Sequence, residues 1–468
     1  MKRISLIYIA ILSFLLPACK KGYLDVNQSN PNLTDKPPIN GLLAATTYAT
    51  GKNVFYTGYI SSYYVQQLAS PNVASASDIY DDADRSGTWR TLYLAVEDIR
   101  QMEALAIEKK AYEHIGVAKV LEAFNISMLI DLFGDVPYTE AWNITIFKPK
   151  YDSAKNVYDT CLTLLNAGIA AFNLENPQVK LDASNDLIHA GNKAAWIATA
   201  YALKARLLNR VSKRADYNPP AILEALSHAY TSNAGDAQLT RFENQSPWDS
   251  VAVRNSNQLL DGWLSATFVN ALNGTTYGVF DPRLPHITDT TKYGDYRGTV
   301  NGAGRVGSGT DTGQCYLSLK GFYSAPGAPL LMVTFAELKF IEAEAYFNTD
   351  KAVSYQAYLD GIAANMNKVG VSPAERDAYL ANPVVAVGTA NFTKALLFKE
   401  KYVATFLQPE TWTDARRFDY QYKDFALPKN ALLSTFIRRS GYPSSETSRN
   451  AANVPVVNSL ADKLWWDQ

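Results

Sequence analysis

Apolar side chains recur at helical spacing through most of this chain and lose that period in one long internal stretch. Ile39–Ala69 is helical in composition and rich in Tyr, and Ser70–Thr88 is a polar loop. Trp89–Ala106 and Ala111–Phe133 predict an antiparallel helix pair. The second member is apolar nearly all round (Val117, Leu121, Phe124, Met128 and Leu132 among others), which places it centrally. Gly134 is its stop signal. Asp152–Phe172 and Gly191–Lys213 predict a second pair, with Trp196, Ala200, Leu203 and Leu207 at helical spacing, and Pro219–Thr231 a shorter helix.

From residue 233 to 329 the composition shifts to Gly, Asn, Asp, Thr and Tyr, and helical periodicity survives only near Leu259–Leu272. It returns in Pro329–Phe347, Tyr355–Lys368, Pro373–Leu380, Thr393–Leu407 and Glu410–Tyr420. The last fifty residues are rich in Pro, Ser and Asn and predict irregular coil with short strands at most. The expected architecture is mostly α, with tetratricopeptide-like helical hairpins and a large irregular, loop-rich insertion at 233–329. No clean 34-residue repeat period is found.

Pro329–Phe347 (PLLMVTFAELKFIEAEAYF) is the most telling of these segments. Apolar side chains fall on every side, which marks a helix buried on more than one face. Glu337 and Glu344 share a face; Glu342 points elsewhere. One interpretation makes them the acid and base of a hydrolase. The preferred one ties them to arginines of packed helices, because an unpaired charge in a core is very costly. Arg206, Arg210, Arg416 and Arg417 are the expected partners.

The chain has 468 residues and a formal net charge of −1, from 44 basic and 45 acidic residues. That balance argues against a nucleic-acid binder, which would show a basic stripe. Aromatic residues reach 12%, led by 29 Tyr. The amino terminus carries a specific signal. Lys2 and Arg3 precede an apolar run from Ile4 to Leu16, too short to span a bilayer, and Leu16-Pro17-Ala18-Cys19 then fits a lipoprotein cleavage site. Residues 1–18 are thus expected to be a signal peptide. Cys19 is expected to carry the lipid (palmitate among its acyl chains), residues 19–38 to form a tether, and 39–468 to form a single domain. Cys161 and Cys315 are expected as buried free thiols rather than a bridge.

Candidate chemistry is sparse. Gly302-Ala303-Gly304-Arg305-Val306-Gly307 matches GxGxxG, but a polar loop precedes it where a dinucleotide fingerprint needs a strand. Asp82, Asp84 and Ser86 resemble the first half of a calcium loop, yet the twelfth position is Tyr93 instead of Glu. They form only a weak metal candidate, and a solvated acidic loop is the simpler account. The four His show no zinc-ligand spacing, and no nucleophile motif or cofactor fingerprint occurs. Aromatics set among Asn, Asp and Arg are more informative, because a sugar offers C–H faces to rings and hydroxyls to planar polar groups. On that ground Tyr80, Trp89, Trp248, Tyr277, Tyr293 and Tyr296 are the candidate ligand-binding residues, although packing competes for each of them.

Several stretches, in order, resemble SusD/RagB-like nutrient-binding outer-membrane lipoproteins of the Bacteroidetes type. They begin with CKKGYLDVNQSNPN, which carries the LD-x-N-x-x-P-N opening. DLFGDVPYTEAW (131–142), GNKAAWIATAYALKARLLNRVS (191–212), DPRLP (281–285), APLLMVTFAELKFIEAEAYF (328–347) and KEKYVATFLQPETWTDARRFDY (399–420) follow. The resemblance implies a mostly α fold and a surface-exposed lipoprotein without enzymatic activity or cofactor. It also implies a partner, a SusC-type TonB-dependent transporter, to which oligosaccharides or peptides are delivered. Only Cys19 carries over from the family as a site. The alternatives are a surface glycoside hydrolase using a carboxylate pair, and a structural lid that binds the transporter alone.

Overall fold

The helical pairs expected from the hydrophobic pattern form, in order, as α1 (Ile39–Tyr64), α2 (Ser86–Glu108), α3 (Tyr112–Phe133), α4 (Ala154–Phe172), α5 (Lys193–Arg210) and α6 (Pro219–Ser227). The structure is a computed structural model that describes residues 37–257, 259–309 and 313–468. The leader, Cys19 and nearly all of the tether therefore lie outside the described residues. Each of these six helices packs on the next. Local chemistry sets their ends. Ser153, Asn192 and Asn218 each accept a backbone N–H of the first turn, capping α4, α5 and α6. Gly134, at φ +83°, ends α3. No helix among the described residues is long and apolar enough to cross a membrane.

A second group follows the loop-rich segment: α7 (Pro247–Ser256) and α8 (Ala266–Leu272) lie within it. Beyond it come α9 (Phe335–Tyr346), α10 (Lys351–Val369), α11 (Pro373–Leu380), α12 (Gly388–Asn391), α13 (Lys394–Ala404), α14 (Glu410–Arg417) and α15 (Ser444–Arg449). Helix α9 packs on α10 and also touches α5, α6 and α13, so it joins the two groups. Two short antiparallel pairings bind the loop-rich segment to this frame. Leu68–Ala69 (β1) pairs with Trp263–Leu264 (β3), and Ala237–Leu239 (β2) with Leu330–Val333 (β4).

Several expectations are corrected. The Pro329–Phe347 stretch is not one helix. Leu330–Val333 is a buried strand, and the helix begins at Phe335 behind Thr334, whose side chain accepts the Glu337 N–H. A short, wholly apolar run has no period to separate strand from helix. Likewise α1 stops at Tyr64, and Leu68–Ala69 leaves it as a strand. Leu259–Leu272 resolves into a strand and a helix of seven residues. Helix α7 was not foreseen because its segment, PWDSVAVRNS, is polar. Its signal was the cap: Ser246 accepts the Asp249 N–H, and Pro247 opens the first turn. The last fifty residues hold the six-residue α15 and a closing 3₁₀ turn instead of strands.

The carboxylates of α9 are structural. Glu337 meets Arg206 at 2.6 Å. Glu344 meets Arg417 and Lys401, each at 2.7 Å, and both cations also reach Asp414. Glu342 is held by Lys339. Of the other two expected partners, Arg210 binds Asp131 and Glu410. Arg416 lies 3.9 Å from the Trp412 ring centre and donates to the carbonyls of Asp131 and Arg438. Cys161 and Cys315 are buried and free.

Candidate functional site

One buried carboxylate, Asp78 in the loop after α1, anchors part of the loop-rich segment. Asp78 accepts the backbone N–H of Ser70 at 2.9 Å and of Gly302 at 3.0 Å, and the side-chain amide of Asn301 at 2.8 Å. Asn301 also donates to the Leu68 carbonyl at 2.9 Å and accepts from Ser265 at 2.6 Å. Burial pushes the Asp78 carboxyl up to about 6, and the three donors act against that rise. The loops at 70–80 and 298–304 are thereby fixed to each other and to the start of α8.

On this support lies a groove of about 540 Å³. Helix α8 contributes Asn270, and Asn273 follows its end. Phe280, Tyr296 and Arg297 complete the wall with Asp295. The rings of Phe280 and Tyr296 stand 5.9 Å apart, tilted by 46°. Arg297 is paired with Asp295 and lies 4.6 Å over the ring of Tyr293, which is 61% exposed. A recess of about 290 Å³ shares Ala266 and Asn270 with the groove and continues past Thr276, Val300, Lys423 and Asp424. Aromatic faces, two amides, a guanidinium and a carboxylate therefore border one open groove, with the smaller recess beside it. This donor set suits a polyhydroxylated ligand with apolar C–H faces.

The six aromatic candidates divide. Tyr296 lines the groove, and Tyr293 stands at its edge through Arg297. Tyr277 is half-buried near the recess, with the ammonium groups of Lys423 and Lys399 at 6.0 and 5.3 Å from its ring. Tyr80 and Trp248 are core residues: Tyr80 packs edge-on against Tyr64, and Trp248 against Phe55 at 4.8 Å. Neither offers a ligand an open face. Trp89 is 6% exposed and lies at the base of a different groove, on α2. Residue type alone did not separate these cases, since Tyr80 and Trp89 both flank the same polar loop. Asn270, Asn273, Phe280 and Arg297 were missed. The signal that could have found them is the recurrence of Asn and Arg within a few residues of Tyr in NALNGTTYGVF and YGDYRG.

Of the weak calcium candidates Asp82, Asp84 and Ser86, the last two serve as a strut. Asp84 accepts from Ser86 Oγ at 2.8 Å and from the N–H of Ser444 at 3.0 Å, so it links the starts of α2 and α15. The Ser444 N–H, ahead of its other partners, holds the Asp84 carboxyl down at about 2. Among the described residues no cluster of three or more His, Cys, Asp or Glu is placed to hold a metal.

The GxGxxG match serves packing instead of phosphate binding. Gly302 has φ +78°, and a Cβ there would lie 1.8 Å from the Lys429 carbonyl oxygen. Replacing Gly302 with Ala is expected to destabilise the fold by about 1–3 kcal/mol from the left-handed backbone alone, measured by denaturant unfolding. Because Val300 and Asn301 border the recess, ligand affinity should fall with it.

The sequence matches a SusD-like family model, described as starch-binding and associating with the outer membrane, over residues 31–443. No curated protein matches it. The solved structures similar to it include a SusD/RagB family protein from Bacteroides thetaiotaomicron. That match has a TM-score of 0.74 at 20% identity and covers 92% of this chain and 99% of that one. A chitin-binding SusD homolog from Flavobacterium johnsoniae matches with a TM-score of 0.76 at 18% identity, over 91% and 98% of the two chains. A SusD homolog from Bacteroides uniformis matches with a TM-score of 0.72 at 20% identity, over 91% and 99%. These likenesses carry the fold, and the family model covers most of the sequence, so this chain belongs to the SusD-like family.

Proposed function

We propose that this chain is a lipid-anchored outer-membrane protein that binds glycan oligomers and passes them to a SusC-type TonB-dependent transporter. The groove bordered by Asn270, Asn273, Phe280, Tyr296 and Arg297 is the observation that carries the glycan part. The family's description as starch-binding and associating with the outer membrane supports the ligand class and the location. The leader and Cys19 support the lipid anchor, and 39–468 is taken as one domain.

The reading is of a binding protein, not an enzyme. Hydrolysis of a glycosidic bond needs one carboxyl kept protonated opposite a second. Hydrogen bonds from Thr291 and then Arg297 hold the Asp295 carboxyl below its ordinary range, which unsuits it as the acid. An open groove with half-exposed rings also favours modest affinity and ready release, as transfer to a second protein requires.

Calorimetric titration with maltooligosaccharides and chitooligosaccharides tests the reading. Tyr296→Ala and Arg297→Ala should each weaken binding about tenfold, equivalent to about 1.4 kcal/mol, with folding unchanged. Binding that survives both substitutions would remove this groove as the site. Release of shortened sugars would return the protein to the hydrolases.

A further inference from the structure

An Asn followed by Gly is the pair at which an asparagine side chain most readily closes on its own backbone, because Gly carries no Cβ to screen the next amide nitrogen. The pair occurs three times in this chain, at Asn40-Gly41, Asn273-Gly274 and Asn301-Gly302. Two of the three are locked. Asn40 lies in the first turn of α1, where the Gly41 N–H donates to the Pro38 carbonyl at 2.8 Å and the Asn40 side chain meets His114. Asn301 is buried and binds Leu68, Asp78 and Ser265, while the Gly302 N–H donates to Asp78.

The third pair has no such lock. Asn273 follows the end of α8 and stands half-buried in the wall of the groove. Its side-chain carbonyl accepts the Thr275 N–H at 2.9 Å. That Asx turn folds the carbonyl over the peptide to Gly274 and polarises it. The Gly274 N–H, unlike those of Gly41 and Gly302, has no hydrogen-bond acceptor among the described residues. Gly274 and Gly278, at φ +93° and +74°, bracket the turn that follows. Their freedom lets the Asn273–Gly274 peptide swing into line with the side-chain carbon.

From these contacts we infer that Asn273 is a site of spontaneous modification, an intramolecular deamidation that ends ligand capture as the protein ages. The Gly274 amide nitrogen gives its proton to hydroxide and attacks Cγ of Asn273. A new N–C bond forms, the bond from Cγ to Nδ2 breaks, and Nδ2 leaves as ammonia after taking a proton from water. Water then opens the cyclic imide at either carbonyl and leaves aspartate or its β-linked isomer. No oxidant, reductant or cofactor takes part.

The effect on capture rests on the reading of this groove as the glycan site. The Asn273 amide donates to the Tyr296 carbonyl at 3.1 Å, which ties the end of α8 to the loop carrying Tyr296 and Arg297. A carboxylate cannot make that donation and sets a negative charge against the same carbonyl oxygen. The charged groups already lining the groove, Asp295 and Arg297, are paired with each other, so conversion leaves the groove net negative. The β-linked product also adds a methylene to the main chain between α8 and the turn. Glycan affinity should fall about tenfold on conversion, from the lost hydrogen bond and the charge put in its place.

The test ages the full-length lipoprotein in mildly alkaline and in mildly acidic buffer. Peptide mass spectrometry reads acid at each of the three asparagines, and titration with maltooligosaccharides and chitooligosaccharides reads capture. Acid should accumulate at Asn273 ahead of Asn40 and Asn301, and faster in the alkaline buffer, while binding falls in step. Asn273→Asp should reproduce the loss in fresh, folded protein. Asn273→Gln, whose longer side chain closes on the backbone far more slowly, should keep its own fresh affinity on ageing. An Asn273 amide that persists in alkaline buffer would overturn the inference, and so would full affinity in the converted protein or in Asn273→Asp. Fresh wild-type protein that binds neither sugar would overturn the proposed function and, with it, the effect on capture; the mass measurement still upholds or refutes deamidation at Asn273.

Discussion

Replacing Glu344 with Ala should destabilise the protein by about 3–5 kcal/mol while leaving glycan affinity of the surviving folded protein unchanged. The Glu344 side chain is 8% exposed and lies between Arg417 and Lys401, which also share Asp414. With both carboxylates present the cluster is neutral. Without Glu344, two buried cations face one carboxylate, and the uncompensated charge cannot reach water. The pH dependence provides an independent check. Burial alone would raise the Glu344 carboxyl, but Arg417 and then Lys401 outweigh it and hold the group at about 2, below its ordinary 4.5. Its contribution is therefore fully present above about pH 4.5 and is lost as pH falls toward 2. Denaturant unfolding across that window should show a steeper acid loss in the wild type than in the variant. A variant that melts like the wild type but no longer binds glycan would move this helix into the ligand site.

Replacing Arg283 with Ala should cost a similar amount, about 3–5 kcal/mol, but with a different consequence. Arg283 is fully buried in the loop-rich segment and grips Asp281 through two hydrogen bonds, at 2.9 and 2.6 Å. It also donates to Glu400 on α13 and, at 3.1 Å, to Asn365 on α10. Lys399 is 2.6 Å from Glu400 and 3.8 Å from Asp281. Removing the guanidinium leaves two buried carboxylates against one ammonium. Because Asp281 and Arg283 belong to the segment that carries Phe280 and Tyr296, glycan affinity should fall along with stability. Titration and unfolding of Arg283→Ala beside Glu344→Ala separate the two outcomes. Equal affinities in the two variants would show that the groove does not depend on this anchor.

The helical frame was legible because a period of apolar residues survives any tertiary context. The α3 and α11 segments fall within a residue of their expected bounds because local signals mark an end of each, Gly134 after α3 and Ser372-Pro373 at the start of α11. The ionic partners of α9 were legible in part. A buried Glu demands a cation, and Arg206 and Arg417 were among those expected, but nothing local in the sequence points Lys401 at Glu344 across 57 positions. The site was the least legible. Whether a Tyr lines a groove or a core depends on which loops meet, and Asp78 decides that through partners more than 200 residues away. Tyr80, two residues from Asp78, turned inward, while Tyr296, held near the same junction, stayed at the surface.

The antiparallel pairing of β2 with β4 places Leu239 directly opposite Leu330. The chain thus leaves the helical frame and re-enters it at adjacent points, with some ninety residues in between. A segment whose two ends meet can be exchanged as a cassette. Related proteins can then diverge in what they capture by rewriting that cassette, while the frame persists. The restriction on such exchange is chemical. Any replacement must still supply the Asp281–Arg283 pair, because Glu400 and Lys399 wait for it in the core.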